Sequence, residues 1–325
     1  MVDTSTASSG APVSDAKGLA DLVKRVDAIA EARGWSKAEI SRRSGVAQGT
    51  LSQWMSGKYA GNYDAVSSKI RNWLDQADAV EELAASVPVS PDFLELNFAQ
   101  SVLSTLSIAQ VMPAMVMITA DAGMGKTVAA RRYAATRPNS YLVTMSPHTR
   151  SIHNMLTEIA AGLSVEERSA GKLVRAIGKR IERVGDGTLL IVDEAQNLSD
   201  DAINQLRHFV DNFGCGVALV GNRETYARFT SWGQGDRYGQ LRRRVFRRIR
   251  RDKPSKEDLL TFLTAWGVSD PKQVEFLTGV GLKPGALGQI DMTIKLARLT
   301  AEGRQREVTL ADLKSAWANR DVESV

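Results

Sequence analysis

At 325 residues, with 43% hydrophobic and 24% charged side chains, the chain has the make-up of a globular protein large enough for two or three domains. Its longest apolar run, 111–120, is about half the ~20 residues a membrane helix needs and contains Pro113, so no membrane partner is expected. The net charge is only +5, and Cys215 as the only cysteine excludes an intrachain disulfide and points to a reducing, cytoplasmic setting.

Residues 1–18 are rich in Ser, Ala and Thr and lack the apolar stretch of an export signal, so a disordered tail is expected there. Residues 19–76 read as a small helical domain. Leu22, Val26 and Ile29 recur at helical spacing, and Gly34 ends that helix. Ser36 is placed to cap a second helix, with Glu39 completing a capping box. A turn at Ser44-Gly45-Val46 leads into a short helix over 48–55, which carries Gln48, Thr50, Ser52 and Gln53 as side chains able to contact bases or phosphates. This helix–turn–helix resembles the DNA-binding domains of phage-repressor type; a plain helical bundle is the competing reading. Val66, Ile70, Trp73 and Leu74 supply a closing helix, and 77–92, ending in a Pro-bounded segment, reads as a linker.

From 93 to 252 strand and helix patterns alternate. Apolar runs at 115–119, 141–145, 188–192 and 217–220 predict an α/β fold with a parallel sheet covered on both faces. The first run ends in Ala-Asp-Ala-Gly-Met-Gly-Lys-Thr, residues 120–127. Gly123 and Gly125 let successive N–H groups curl around phosphate oxygens, so Asp121, Ala122, Gly123, Met124, Gly125, Lys126, Thr127 and Val128 form the expected nucleotide cradle. Lys126 would reach the β- and γ-phosphates and Thr127 would hold Mg²⁺. Ala120 stands where the usual pattern has its first glycine, which requires a negative φ at that position.

The run 188–192 ends in Asp193 and Glu194, read as a carboxylate for the Mg²⁺ shell and a base that polarises the attacking water. The two motifs in this order predict an ATP or GTP site. Lys172, Arg175, Lys179 and Arg180 recur at three- and four-residue spacing and form a candidate stripe for DNA phosphates, against the reading of an ordinary solvated face. Cys215 precedes an apolar run and reads as core. His148, His153 and His208 lack metal-ligand spacing. Arg242, Arg243, Arg244, Arg247, Arg248, Arg250, Arg251 and Lys253 crowd one segment, as a polyanion or subunit contact would. Residues 253–325 read as a helical domain with Leu259, Leu260, Phe262, Leu263 and Trp266 on its apolar side.

The succession of a helix–turn–helix leading to Lys58-Tyr59, Gly-Met-Gly-Lys-Thr, Ile-Val-Asp-Glu-Ala, Leu-Val-Gly-Asn and Lys283-Pro284-Gly285-Ala286-Leu287 resembles the Mu B transposition protein family of AAA+ ATPases from residue 20 onward. The resemblance implies a P-loop AAA+ core over 93–252 with a C-terminal helical lid. It also implies ATP as the nucleotide and non-sequence-specific binding of double-stranded target DNA. Such proteins assemble as a filament or ring, deliver that DNA to a DDE-type transposase and stimulate strand transfer in the bacterial cytoplasm. Carried over by position, Asn222 takes the sensor-1 role and Arg248 is the candidate arginine finger, with Arg244 and Arg247 as rivals. The family's sensor-2 arginine is Gly288 here, so the lid is not expected to contact the γ-phosphate in the usual way. Two other functions are open to this sequence: an ATP-switched transcriptional regulator reading an operator through 36–55, and a helicase loader.

Overall fold

The computed structural model describes residues 13–230, 244–303 and 306–320. The chain forms two compact units, Met1–Val87 and Pro88–Val325.

The first unit is built from α1 (Val13–Arg33), α2 (Lys37–Ser44), α3 (Gln48–Met55) and α4 (Tyr63–Ser86). Val26, Ile40, Leu51, Trp54, Ile70 and Leu74 form its core, with Trp54 fully buried and its indole N–H donating to Ser67 Oγ at 2.9 Å. Gly45 turns the chain between α2 and α3 at φ 65°, a left-handed conformation that glycine adopts freely. Only half of the expected capping box forms. Ser36 Oγ accepts from the Glu39 amide at 3.3 Å, but the Glu39 carboxylate turns along the helix to pair with Arg42 and Arg43. Two boundaries also move. Helix α1 starts at Val13, inside the expected tail, while residues 1–12 lie outside the described residues. Helix α4 runs to Ser86, into the expected linker, because 77–86 is rich in the helix formers Ala and Glu and the first helix breaker is Pro88.

The second unit carries a five-stranded sheet in the order β2-β3-β4-β1-β5, where β1 is Met115–Ala120, β2 Ser140–Thr144, β3 Leu189–Asp193, β4 Gly216–Gly221 and β5 Val245–Arg251. All four pairings are parallel. The three central strands are buried at every residue, as a sheet with both faces covered requires. Alternation along each strand sorts the side chains. Met115, Met117, Leu190, Val192, Val217 and Leu219 pack under α7 (Ile152–Gly162), α8 (Ala170–Val184) and α9 (Asp200–Phe213). Val116, Ile118, Leu189, Ile191, Ala218 and Val220 pack under α5 (Asn97–Val111) and α6 (Lys126–Thr136). Cys215 is fully buried in the first of these layers, and burial pushes its thiol up to about 12.

Strand β5 has no counterpart in the four apolar runs. Its sequence is mostly arginine, yet Val245 is buried and Ile249 packs on the α5–α6 layer, so two inward apolar residues suffice at a sheet edge. The exposed arginines suit that edge, since charge discourages pairing with another strand.

Helices α11 (Lys256–Ala265), α12 (Pro271–Gly281), α13 (Ala286–Glu302) and α14 (Leu310–Ala318) close around Leu259, Leu263, Leu277, Ile290, Ile294 and Trp317. Leu260, expected on the apolar side, is 40% exposed, because one helical step from Leu259 rotates it out of the core. These helices are tied to the sheet unit by a long-range cap. Helix α5 has no side-chain cap of its own, and the buried carboxylate of Asp258 accepts from the Asn97 and Phe98 amides at 2.7 and 3.4 Å. Asp258→Ala should lower stability by about 1–2 kcal/mol, read as a shifted midpoint in urea unfolding.

Candidate nucleotide-binding site

The C-terminal ends of β1, β3 and β4 converge on one side of the sheet, where open α/β folds bind ligands. Beyond β1 the chain turns through Gly123 at φ 74° and Gly125 at φ 85° and enters α6 at Lys126. Ala120 is the last residue of β1 and is absent from the positive-φ positions, so alanine fits there without strain.

Lys126 Nζ lies across the loop, donating to the carbonyls of Ala120 and Asp121 at 2.7 and 2.8 Å. Burial lowers its pKa, while the carboxylates of Glu194, Asp193 and Asp121 act in the opposite sense. One residue on, Thr127 Oγ1 donates to Asp193 Oδ2 at 2.7 Å. The two predicted metal ligands are therefore already in contact, and hard oxygens of this kind suit Mg²⁺. Asp193 is 1% exposed, and its second oxygen accepts from the Glu194 amide at 2.9 Å.

Glu194 holds φ 55°, a conformation uncommon for a non-glycine residue and one that clusters at functional sites. Its carboxylate is held by the amide of Gln196, whose Oε1 accepts from the Asn222 N–H at 3.3 Å. Gln196 thus joins the predicted base to the predicted sensor, a role that its place three residues after Asp193 did not reveal. Asn222 Oδ1 caps α10 (Arg223–Thr230), accepting from Glu224 and Thr225 at 2.9 and 3.4 Å. Its side-chain oxygen is thereby engaged, leaving the amide N–H₂ as the group able to meet a phosphate or water. Arg223 is a further addition, forking onto Asp121 of the loop at 2.6 and 2.7 Å.

The cavity beside the loop has a volume of about 460 Å³ and is walled by Ala122–Val128, Glu194, an apolar group of Phe93, Leu94, Leu96, Ala99, Phe262 and Leu287, and Gly288 with Asp291. The lid turn rests directly on the phosphate loop. Gly288 N–H donates to Gly123 O at 3.2 Å, and a Cβ on Gly123 would stand 1.8 Å from Gly285 O. Gly288 is therefore more than a missing arginine: a Cβ there would stand 3.3 Å from Gly123 Cα, so glycine permits the close approach. Gly123→Ala should separate lid from loop and weaken nucleotide binding by at least about tenfold in a titration, since both φ and space forbid the methyl group.

The other predicted residues lie on surfaces. Lys172, Arg175 and Lys179 share an exposed face of α8, opposite buried Leu173, Ile177 and Ile181. Arg180 leaves that stripe: it is half-buried and donates to Leu163 O at 3.1 Å, closing the C-terminal end of α7. In the first unit Gln48, Ser52 and Gln53 are exposed and Thr50 is half-buried. Arg248 is exposed on β5, in register with Met117 in mid-strand. Arg247 is half-buried there, and Arg244, just before β5, pairs with Asp211. Arg242 and Arg243 lie outside the described residues. Among the described residues no cluster of three His, Cys, Asp or Glu could hold a metal, and no helix is long and apolar enough to cross a membrane.

Sheet order, phosphate loop, strand-end acids and helical lid together define a P-loop AAA+ ATPase, and residues 112–229 match the family model of the AAA domain. Residues 243–319 match the model of the Mu B transposition protein, C terminal. The chain belongs to the Mu B transposition protein family. It is 31% identical over 262 residues to the Mu-like prophage FluMu DNA transposition protein B of Haemophilus influenzae, covering 79% of this chain and 90% of that one. It is 29% identical over 307 residues to the ATP-dependent target DNA activator B of Escherichia phage Mu, covering 94% and 96%. Among solved structures, Cdc6p from Pyrobaculum aerophilum superposes with a TM-score of 0.58 at 14% identity over 74% of this chain and 72% of that one. The Orc1 protein of Aeropyrum pernix, solved in complex with DNA, gives 0.55 at 17% over 71% and 67%. These two likenesses establish the fold.

Proposed function

We propose that this chain is an ATP-dependent activator of target DNA in transposition. In this reading ATP binding lets copies assemble as a filament on double-stranded DNA of any sequence, a DDE-type transposase takes that DNA as its target, and hydrolysis releases the assembly. The observation that carries the reading is the Thr127–Asp193 contact at 2.7 Å beside Lys126, in a chain whose relatives are named ATP-dependent target DNA activators. Those names favour this reading over an operator-binding regulator or a helicase loader.

The roles follow from chemistry. Lys126 neutralises the β- and γ-phosphates; Mg²⁺, held through Thr127 and Asp193, would supply further charge neutralisation. Glu194 accepts a proton from the attacking water, which the Asn222 amide orients. Arg248, exposed on the edge strand, reaches a neighbouring copy's triphosphate. Lys172, Arg175 and Lys179 follow DNA phosphates, with the face of α3 as a second contact. The bacterial cytoplasm supplies the ATP.

Electron microscopy with ATP and a random-sequence duplex tests the whole. Ordered filaments or rings are expected, and a chain that stays monomeric at micromolar concentration rejects the proposal. Changing Lys172, Arg175 and Lys179 together to Ala should flatten the dependence of DNA affinity on salt by up to about three units of log–log slope, as contacts to phosphate are lost. An unchanged slope in a binding titration would assign that face to solvent.

A further inference from the structure

One hydrogen-bonded side chain beside the cavity has no part in the reaction scheme above. Gln196 lies in the single 3₁₀ turn Ala195–Asn197 that follows the strand-end acids. Its amide nitrogen donates to Glu194 Oε2, and its amide oxygen accepts from the Asn222 N–H at 3.3 Å. That orientation is forced at both ends, because a carboxylate only accepts and a backbone N–H only donates. A Cβ on Gly221 would stand 2.2 Å from Thr225 Oγ1 and 3.0 Å from Gln196 Oε1, so glycine at the end of β4 leaves room for the side chain. The turn itself is fastened from the sensor side: Arg228 of α10 donates to the carbonyls of Gln196 and Leu198 at 3.0 and 2.6 Å. Glu194, which enters this turn at φ 55°, lines the nucleotide cavity. No described residue donates to its other oxygen, Oε1, and that atom is not buried.

We propose that Gln196 is a positioning residue for hydrolysis. By holding Oε2 it fixes the aim of the base and leaves Oε1 to meet the attacking water. In that step the water oxygen bonds to the γ-phosphorus, and the bond to the β–γ bridging oxygen breaks with its electron pair leaving on ADP. The proton of the water passes to Oε1. A carboxylate free to rotate offers the water several geometries, and a hydrogen bond to one of its oxygens selects one of them. The same amide ties the base to the backbone of Asn222, so the two groups that handle the water keep a fixed spacing.

The inference rests on Glu194 being the base, and the experiment separates the two claims. Phosphate release and calorimetric ATP binding are measured on the full chain, on Gln196→Glu, Gln196→Ala and Glu194→Gln, and on Glu194→Gln combined with Gln196→Ala. Gln196→Glu keeps the size of the side chain and the acceptor for Asn222 but loses the donor to Glu194. Both Gln196 variants should lose about ten- to a hundredfold in kcat, with KM and the ATP Kd within about twofold of wild type. With Glu194 already changed to Gln, Gln196→Ala should lower the residual single-turnover rate no further, because the two residues act as one unit. A merely structural role would weaken ATP binding or lower turnover in both backgrounds. ATP titration of the same preparations keeps a misfolded variant from being read as a slow one. Wild-type kcat in either Gln196 variant, a loss carried by Kd, or an added loss in the Glu194→Gln background overturns the role of Gln196 and leaves that of Glu194 standing. Wild-type turnover by Glu194→Gln overturns both.

Discussion

Lys126→Ala should abolish measurable nucleotide binding while leaving the chain folded. The ammonium is the cation placed among the carbonyls of Ala120 and Asp121, where a phosphate would replace those two acceptors. Removing it leaves the triphosphate with no point charge at the β/γ position, a loss of roughly 3–4 kcal/mol, or two to three orders of magnitude in Kd. The cost to the empty protein is smaller, because what it loses is two hydrogen bonds to loop carbonyls. Calorimetric titration with ATP, read beside a thermal scan, checks both halves. A variant that still binds DNA in an ATP-dependent way would show that the cavity beside Gly123 is not the nucleotide site.

Glu194→Gln should do the opposite, keeping ATP bound and stopping turnover. Glutamine has the shape of glutamate and can still meet the amide of Gln196, so the linkage through Gln196 to Asn222 survives. What is lost is the proton acceptor, whose contribution in such reactions is about 10²–10⁴ in rate. Phosphate release should fall by that factor with ATP affinity little changed, and complexes on DNA should persist for correspondingly longer. Rapid dissociation from DNA in the presence of ATP would remove Glu194 from the role of base. The left-handed backbone at this residue, φ 55°, adds a structural expectation: the position aims the side chain, and a β-branched substitute would be strained there.

Both variants were legible in the sequence because phosphate chemistry demands particular residues at adjacent positions. Glycines beside a lysine and a threonine, and an acid pair closing an apolar strand, encode their own local geometry, and the fold realises them at the expected strand ends. The exposed face of Lys172, Arg175 and Lys179 was similarly visible, since 3.6-residue periodicity sets which side chains share a helix face. Family order along the chain was readable for the same reason: it is a succession of local motifs.

Other features depend on partners distant in the chain. Arg180 fits the stripe by spacing, yet Leu163 O lies within its reach and draws it inward. Strand β5 carries arginines and by sequence has the look of a basic surface; pairing with β1 makes it a strand, because edge position relaxes the need for apolar residues on both faces. Asp258 looks like an ordinary first-turn acid of α11, and only the packing of α5 against that helix turns it into a cap for Asn97 and Phe98.

Short runs of residues are enough to encode the phosphate cradle, the acid pair, the parallel α/β core and the family. These are properties of short runs, where neighbouring residues alone set backbone shape and charge. What lies across the cavity follows from the packing of distant elements. That packing brought Gly288 against Gly123 and joined Glu194 to Asn222 through Gln196. Contacts between residues far apart in the chain arise when burying apolar faces brings their helices and strands together, and no local pattern records that geometry.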